Sequence, residues 1–178
     1  MNLAERIFLC VAVLCVCTAA RGGDYSAGTF HSPKGFGVAL DYDTRGPILN
    51  SYVLYADIYG IPGDKFNTPG YKFVWTHYNL LGEKSTDESQ ISFWLGPGLS
   101  AGYVHDHEKD GRAGICATVN CSGAVRFEFS RNIVVDLGIS IELGMFASRK
   151  DDYSEITVYS NGIRQGLYPQ LKLMYTFK

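Results

Sequence analysis

The chain has 178 residues and a formal charge of −2, a balance that leaves no basic excess to draw it to nucleic acid. It carries 20 glycines, 12 tyrosines and 10 phenylalanines. With no helix-period window beyond residue 22, that composition excludes a helical domain and predicts an all-β one.

The opening stretch MNLAERIFLCVAVLCVCTAA sets Arg6 and the amine before an apolar run from Ile7 to Cys17, then small residues. This is the pattern of a secretory signal peptide over residues 1–20, cleaved after Ala20. The run is shorter than the roughly 20 apolar residues a spanning helix needs. Leu9, Leu14 and Val16 precede Cys10, Cys15 and Cys17, where a lipoprotein signal would place a small residue. An exported, unlipidated chain is expected. Removing 20 of the 178 residues leaves 158, enough for one domain over residues 21–178. Cys116 and Cys121 remain; five apart on one predicted strand, they face opposite ways, which disfavours a disulfide unless that segment turns.

Seven breaks rich in Gly, Pro, Asn and charge divide the remainder: HSPKG, TRGPILN, GIPGDKFNTPG, LGEKSTDES, HDHEKDGRAG, SRN and ASRKDDYSEITVYSNG. They bound eight predicted strands, near Tyr25 to Phe30, Phe36 to Asp43, Ser51 to Gly60, Tyr71 to Leu80, Gln90 to His105, Gly114 to Ser130, Ile133 to Phe146, and Ile163 to Phe177.

Each long strand has two unlike faces. In NIVVDLGISIELGMF, Ile133, Val135, Leu137, Ile139, Ile141, Leu143 and Met145 share one face, and Asp136, Gly138, Ser140, Glu142 and Gly144 the other. Ile115, Ala117, Val119 and Cys121 likewise oppose Thr118, Asn120 and Ser122, and Leu171, Leu173, Tyr175 and Phe177 oppose Gln170, Lys172 and Thr176. A soluble barrel of the lipocalin kind buries the apolar face, whereas a membrane barrel turns it outward. Side-chain volume separates the two. An eight-stranded barrel is only just wide enough to be filled by side chains, and here the polar face is the one rich in Gly and Ser. Strand length agrees, since about 9 to 11 residues cross a bilayer and soluble strands average about 5 to 6. The predicted fold is an eight-stranded antiparallel up-and-down transmembrane β-barrel preceded by a signal peptide.

The segments YNLL (78–81), LGPGLSAGYVHD (95–106), SRNIVVDL (130–137) and NGIRQGLYPQLKLMYTF (161–177) carry a family resemblance. The chain resembles the small OmpA/OmpX-like outer-membrane β-barrels, most of all those of Bacteroides-type bacteria. The resemblance implies an outer-membrane location and a last strand whose aromatic end, Tyr175 and Phe177, is read by the barrel-assembly machinery; Lys178 departs from the usual aromatic terminus. It implies that the terminal aromatic lies at the periplasmic rim, that SRN is a short periplasmic turn and that the three longest polar breaks are external loops. LGEKSTDES is long for the periplasmic turn this scheme makes it.

By alternation, the inward ionisable set is Asp41, Asp57, Lys72, Arg126, Glu128, Asp136, Glu142, Arg164 and Lys172. An isolated buried charge is very costly, so these groups are expected to pair and plug a packed polar lumen, Lys172 reaching a carboxylate such as Glu142. A charge-selective pore is the competing reading, against which eight strands leave little bore. No enzyme is expected. VYSNG (158–162) distantly resembles the His-Ser motif of lipid A deacylases, but Tyr159 stands near where the His belongs, and His77 has no serine at bonding distance along its strand. His105 and His107 in HDHEKDG have metal-compatible spacing without a second ligand set, so neither metal nor cofactor is expected. The outward aromatics, among them Tyr52, Phe73, Trp75 and Tyr103, suit interfacial girdles rather than a nucleic-acid platform. The expected partners are outer-membrane lipid and the assembly machinery, the expected state a monomer, and the expected role structural or surface-interacting through external loops. A small pore or transporter comes second, a soluble carrier third.

Overall fold

The alternating segments form strands throughout a computed structural model that describes residues 23–58, 70–86, 89–106, 112–129, 132–150, 153–161 and 168–177. Nine strands result: β1 Asp24–Ser32, β2 Gly35–Asp43, β3 Ile48–Asp57, β4 Gly70–Ser85, β5 Ser89–Asp106, β6 Arg112–Phe129, β7 Ile133–Lys150, β8 Tyr153–Asn161 and β9 Tyr168–Phe177. Each pairs antiparallel with its neighbours, and the sheet closes where β1 meets β9, from Tyr25 opposite Phe177 to His31 opposite Leu171. β8 and β9 follow one another along β7, Lys150 to Glu142 pairing with β8 and Ser140 to Ile133 with β9. They are two parts of one wall strand. The barrel is therefore closed and eight-stranded, as the alternation predicts.

Its width follows from its register. From Asp24, successive cross-strand partners lead through Asp43, Leu49, Tyr78, Gly96, Ser122 and Ser140 to Tyr168. Tyr25 itself lies opposite Phe177, nine residues along β9, and the step from Asp24 to Tyr25 makes the stagger 10. Eight strands with this stagger tilt by about 40° around a backbone radius of about 8 Å. That interior holds side chains and little else.

Each residue then climbs about 2.5 Å along the barrel axis. The nine residues each of β1 and β2 rise about 22 Å, and the 18 each of β5, β6 and β7 about 45 Å. Both described termini, the turn at 44–47, Thr86 and Asn132 lie at one end, here the turn end; β5–β8 rise past β1–β3 at the other, the loop end.

The first predicted strand exists and is longer than expected. LGEKSTDES is mostly strand, closed at Thr86, whose amide and hydroxyl both donate to Ser89 O at 2.8 and 3.0 Å. The misfit of a long periplasmic turn disappears. ASRKDDYSEITVYSNG, expected as an external loop, is instead the upper part of β7 followed by β8, because Ile156, Val158 and Tyr159 continue the alternation that the charged residues mask. The predicted signal peptide, Arg164 and His107 lie outside the described residues.

The two faces are as the alternation requires. Ile115, Val119, Leu137, Leu143, Met145, Leu173 and Phe177 are all 44% or more exposed, while Lys72, Arg126, Asp136 and Lys172 are at most 4% exposed. The exterior is apolar and the interior polar, the reverse of a soluble barrel. Cys116 is buried inside, Cys121 is exposed outside, and both are free. Replacing Leu173 by Arg is expected to cost about 2 kcal/mol of stability in vesicles, since a lipid-facing Arg is most costly at the midplane and cheaper towards the rim. Urea unfolding in phospholipid vesicles measures this; an unchanged midpoint would mean that the face does not meet lipid.

Candidate functional site

Six of the inward ionisable residues gather into two neutral clusters that reach across the lumen. In the lower one, Arg126 on β6 donates Nε to Asp136 Oδ1 and Nη2 to Asp136 Oδ2, both at 2.8 Å, a bidentate pairing. The same Nη2 donates to Asp41 Oδ2 on β2. Lys172 on β9 completes the set, donating to Ser51 Oγ at 2.7 Å and Asp41 Oδ1 at 3.3 Å, with Asp136 Oδ2 at 3.5 Å. Its ammonium lies 5.7 Å from the centre of the Tyr78 ring. Two cations thus share two carboxylates across β2, β6, β7 and β9.

The upper cluster pairs Lys72 on β4 with Glu142 on β7. Ser100 donates to Glu142 Oε1 at 3.3 Å and lies 2.5 Å from Thr118 Oγ1, while the Lys72 ammonium sits 5.0 Å from the Tyr159 ring centre. Between the clusters, Asn120 Oδ1 accepts from Thr76 and Ser122 at 3.3 Å each. Gly98 makes room for that amide: a Cβ there would lie 2.6 Å from Asn120 Oδ1.

The structure places Asp41, Lys72, Arg126, Asp136, Glu142 and Lys172 inside, as alternation expects, but not all in the expected pairs. Lys172 does not reach Glu142; it belongs to Asp41 and Asp136, and Glu142 belongs to Lys72. Alternation fixes which face a residue takes, whereas which opposite charges meet across the lumen depends on stagger, invisible without the register. Asp57 is buried at the loop end of β3, and Glu128 is half-buried near the turn end of β6.

The lumen is also less polar than expected. Val104, Cys116, Phe146 and Tyr159 pack together towards the loop end, Leu49, Tyr78 and Trp94 towards the turn end, and Phe30, Val53, Tyr55 and Met174 line the inside of the short wall. Trp94 shares its parity with Ser92 and was legible; Tyr159 was hidden in a stretch read as loop. Lys34, in the first predicted break, is buried at 5% exposure and was not signalled by any alternation. Among the described residues the interior holds a cavity of about 30 Å³, lined by Lys34, Ser51, Tyr55, Glu142, Gln170 and Lys172 among others. It has room for about two waters, given the 10–15 Å³ one requires.

His77 Nδ1 donates to Asn50 Oδ1 at 2.9 Å on the outer face. Among the described residues, no group of three His, Cys, Asp or Glu is placed to hold a metal.

No protein-family model matches the chain, and no curated protein is similar to it. Among solved structures, the N-terminal β-barrel domain of Pseudomonas aeruginosa OprF superposes with a TM-score of 0.55 at 9% identity, covering 87% of this chain and 96% of that one. The fold is that of a small outer-membrane barrel. Neisserial surface protein A gives 0.48 at 12% identity over 88% and 94% of the two chains. The attachment invasion locus protein Ail of Yersinia pestis gives 0.44 at 14% identity over 87% and 97%.

Replacing Arg126 by Met strands Asp41 and Asp136 with one cation and is expected to cost about 3–5 kcal/mol, the range for breaking a buried pair. Lys172→Met leaves Arg126 to hold both carboxylates and should cost about 3 kcal/mol, more than Leu173→Arg beside it. Lys72→Met with Glu142→Gln should recover most of the loss from Lys72→Met alone. Urea midpoints in vesicles decide each comparison; equal midpoints for the single and double variants would show that the upper pair carries no structural charge.

Proposed function

We propose that the chain is an exported barrel of the outer membrane, a member of the OmpA/OmpX-like group of the Bacteroides type, which presents a surface rather than a passage. Residues 1–20 direct export and are removed, and Tyr175 and Phe177 form the terminal signal read during assembly. Phe177 is 56% exposed on the outer face, beside Tyr175 with ring centres 5.2 Å apart, where an assembly factor can reach both.

The observation that carries the reading is the occluded lumen. Among the described residues, two self-neutralised charge clusters and apolar groups towards each end fill the interior around a cavity of about 30 Å³, too small for a hydrated ion. The uneven wall supports the second half of the reading, since β5–β8 rise past β1–β3 and lift the loop end on one side. No catalytic step is assigned: Ser100 and Glu142 are bonded to one another, and Glu142 to Lys72, in the closed interior.

The discriminating measurement is conductance of the purified, folded protein in planar bilayers. No stable unitary channel is expected. Reproducible channels would replace this reading with a small pore, and monodisperse folded protein in detergent-free buffer would remove the membrane location altogether.

A further inference from the structure

The strand glycines fall into two kinds. Gly28, Gly96, Gly98, Gly102 and Gly144 face the lumen, and a Cβ at any of them would lie 2.2 Å or less from a neighbouring atom. The protein's own packing demands them. Gly123 differs. It takes the outward side of β6, between Cys121 and Val125, where a Cβ would meet only Leu95 Cδ1 at 3.7 Å and Trp94 O at 3.9 Å. The ladders to β5 and β7 run through it without a register shift, opposite Leu95 and Ile139, and its φ lies outside the left-handed region. A glycine inside a strand weakens it, and one that no bulge or internal close approach explains marks a place where something outside the chain comes near.

The space it leaves is a groove of about 570 Å³, with Gly123 and Trp94 at its floor and Phe93, Leu95, Leu137 and Ile139 among its walls. That volume lies within the roughly 300–1,000 Å³ of small-ligand sites. The aqueous rim at the turn end is marked by Arg45, 61% exposed and bonded to Asp24 at 2.7 Å. From the stagger and about 2.5 Å of climb per residue, the groove runs from Phe93, about 5 Å above the level of Asp24, to Ile139, about 16 Å above it. Both heights fall within an apolar band about 25 Å tall. The groove is continuous with the lipid-facing wall, so its occupant is a hydrocarbon chain.

What lies beneath the groove specifies that chain further. Because the strands tilt by about 40°, a line straight up the wall crosses from strand to strand: from Lys84 on β4 it passes Phe93 on β5 and reaches Gly123 on β6, about 16 Å higher. Lys84 is exposed and lies opposite Ile91, about 3 Å below the level of Asp24 and thus at the headgroup boundary. Gly82, which follows the bulge at Leu80, would have nothing within 4 Å of a Cβ, so the wall beside this line is low. Glu83 accepts from Gln90 Nε2 at 3.0 Å. A lysine ammonium is a point-charge binder of phosphate, and here it stands directly below an apolar channel. The pair is complementary to a phosphate with an acyl chain above it.

We propose that β4–β6 hold one phospholipid of the turn-end leaflet, with an acyl chain in the Gly123 groove and the phosphate on the Lys84 ammonium. This rests on the membrane location proposed above and adds to it a bound lipid, distinct from the lipid that surrounds any barrel.

Native mass spectrometry of the folded protein in detergent micelles containing palmitoyl-oleoyl phosphatidylglycerol reads the seat directly. The unaltered chain should carry a single lipid. Gly123→Leu fills the groove and Lys84→Gln removes the cation, and each should lower the lipid-bound share roughly fivefold or more at the same lipid content. Ala27→Leu, an outward change on β1 opposite Tyr175, should leave it unaltered. Folding of each variant is checked by the mobility difference between boiled and unboiled samples. Unchanged binding in Gly123→Leu or in Lys84→Gln, or an equal loss in Ala27→Leu, would overturn the lipid seat alone. Absence of the folded protein from the membrane fraction would instead overturn the location on which it rests.

Discussion

Arg126 has to be satisfied inside a barrel that lipid surrounds, and that demand reaches most of the wall. Its guanidinium holds Asp136 on the adjacent strand and Asp41 on β2 across the lumen, and those two carboxylates hold Lys172 on β9. A charge left unpaired in this interior costs several kcal/mol, so an unclosed sheet, with β9 away from β1 and β2, is penalised electrostatically as well as by its bare edges. Register is specified the same way. Slipping β6, β7 or β9 by one residue would turn Arg126, Asp136 or Lys172 towards lipid and bring Val125, Leu137 or Leu173 inside, so burial and ion pairing vote for one alignment.

Legibility in the sequence followed the physics of each level. Period-two alternation is a one-dimensional signal, and it revealed the closed barrel, the direction of both cysteines and the inward facing of Asp41, Lys72, Arg126, Asp136, Glu142 and Lys172. The partner of Lys172 was misread because pairing across a lumen is a property of stagger, and stagger accumulates over all the strands before it becomes a distance. β8 was missed because Asp151, Asp152 and Glu155 look like loop in a scale of polarity, although Ile156 and Val158 beside them are 70% exposed on the outer face. The aromatic lining of the lumen, Trp94 and Tyr159 above all, was underread because a polar face was assumed to be polar at every position.

Narrowness and occlusion have a common origin. A stagger of 10 on eight strands sets a radius that side chains can fill, and this chain fills it with paired ions in the middle and rings towards each end. The rings are less costly than further polar groups would be, since every buried polar atom needs a partner and the available partners are already engaged by Asn120, Ser122 and Glu142. Diversity is thereby displaced to the outside, where β5–β8 rise past β1–β3.

The divided eighth wall strand has a consequence for how such a protein can change. Between Glu142 and Ser140, two steps along β7, the partner strand advances from Asn161 to Tyr168, seven residues where a regular ladder would use two. The surplus uncouples the two registers. Residues can be gained or lost in the outer hairpin, and its tip recomposed, while Tyr168–Phe177 keeps its alignment with β1 and the barrel stays shut. The seam works as an expansion joint: below it, sequence drift is held by the closure of the ring, and above it the β7–β8 hairpin can change in length without disturbing that closure.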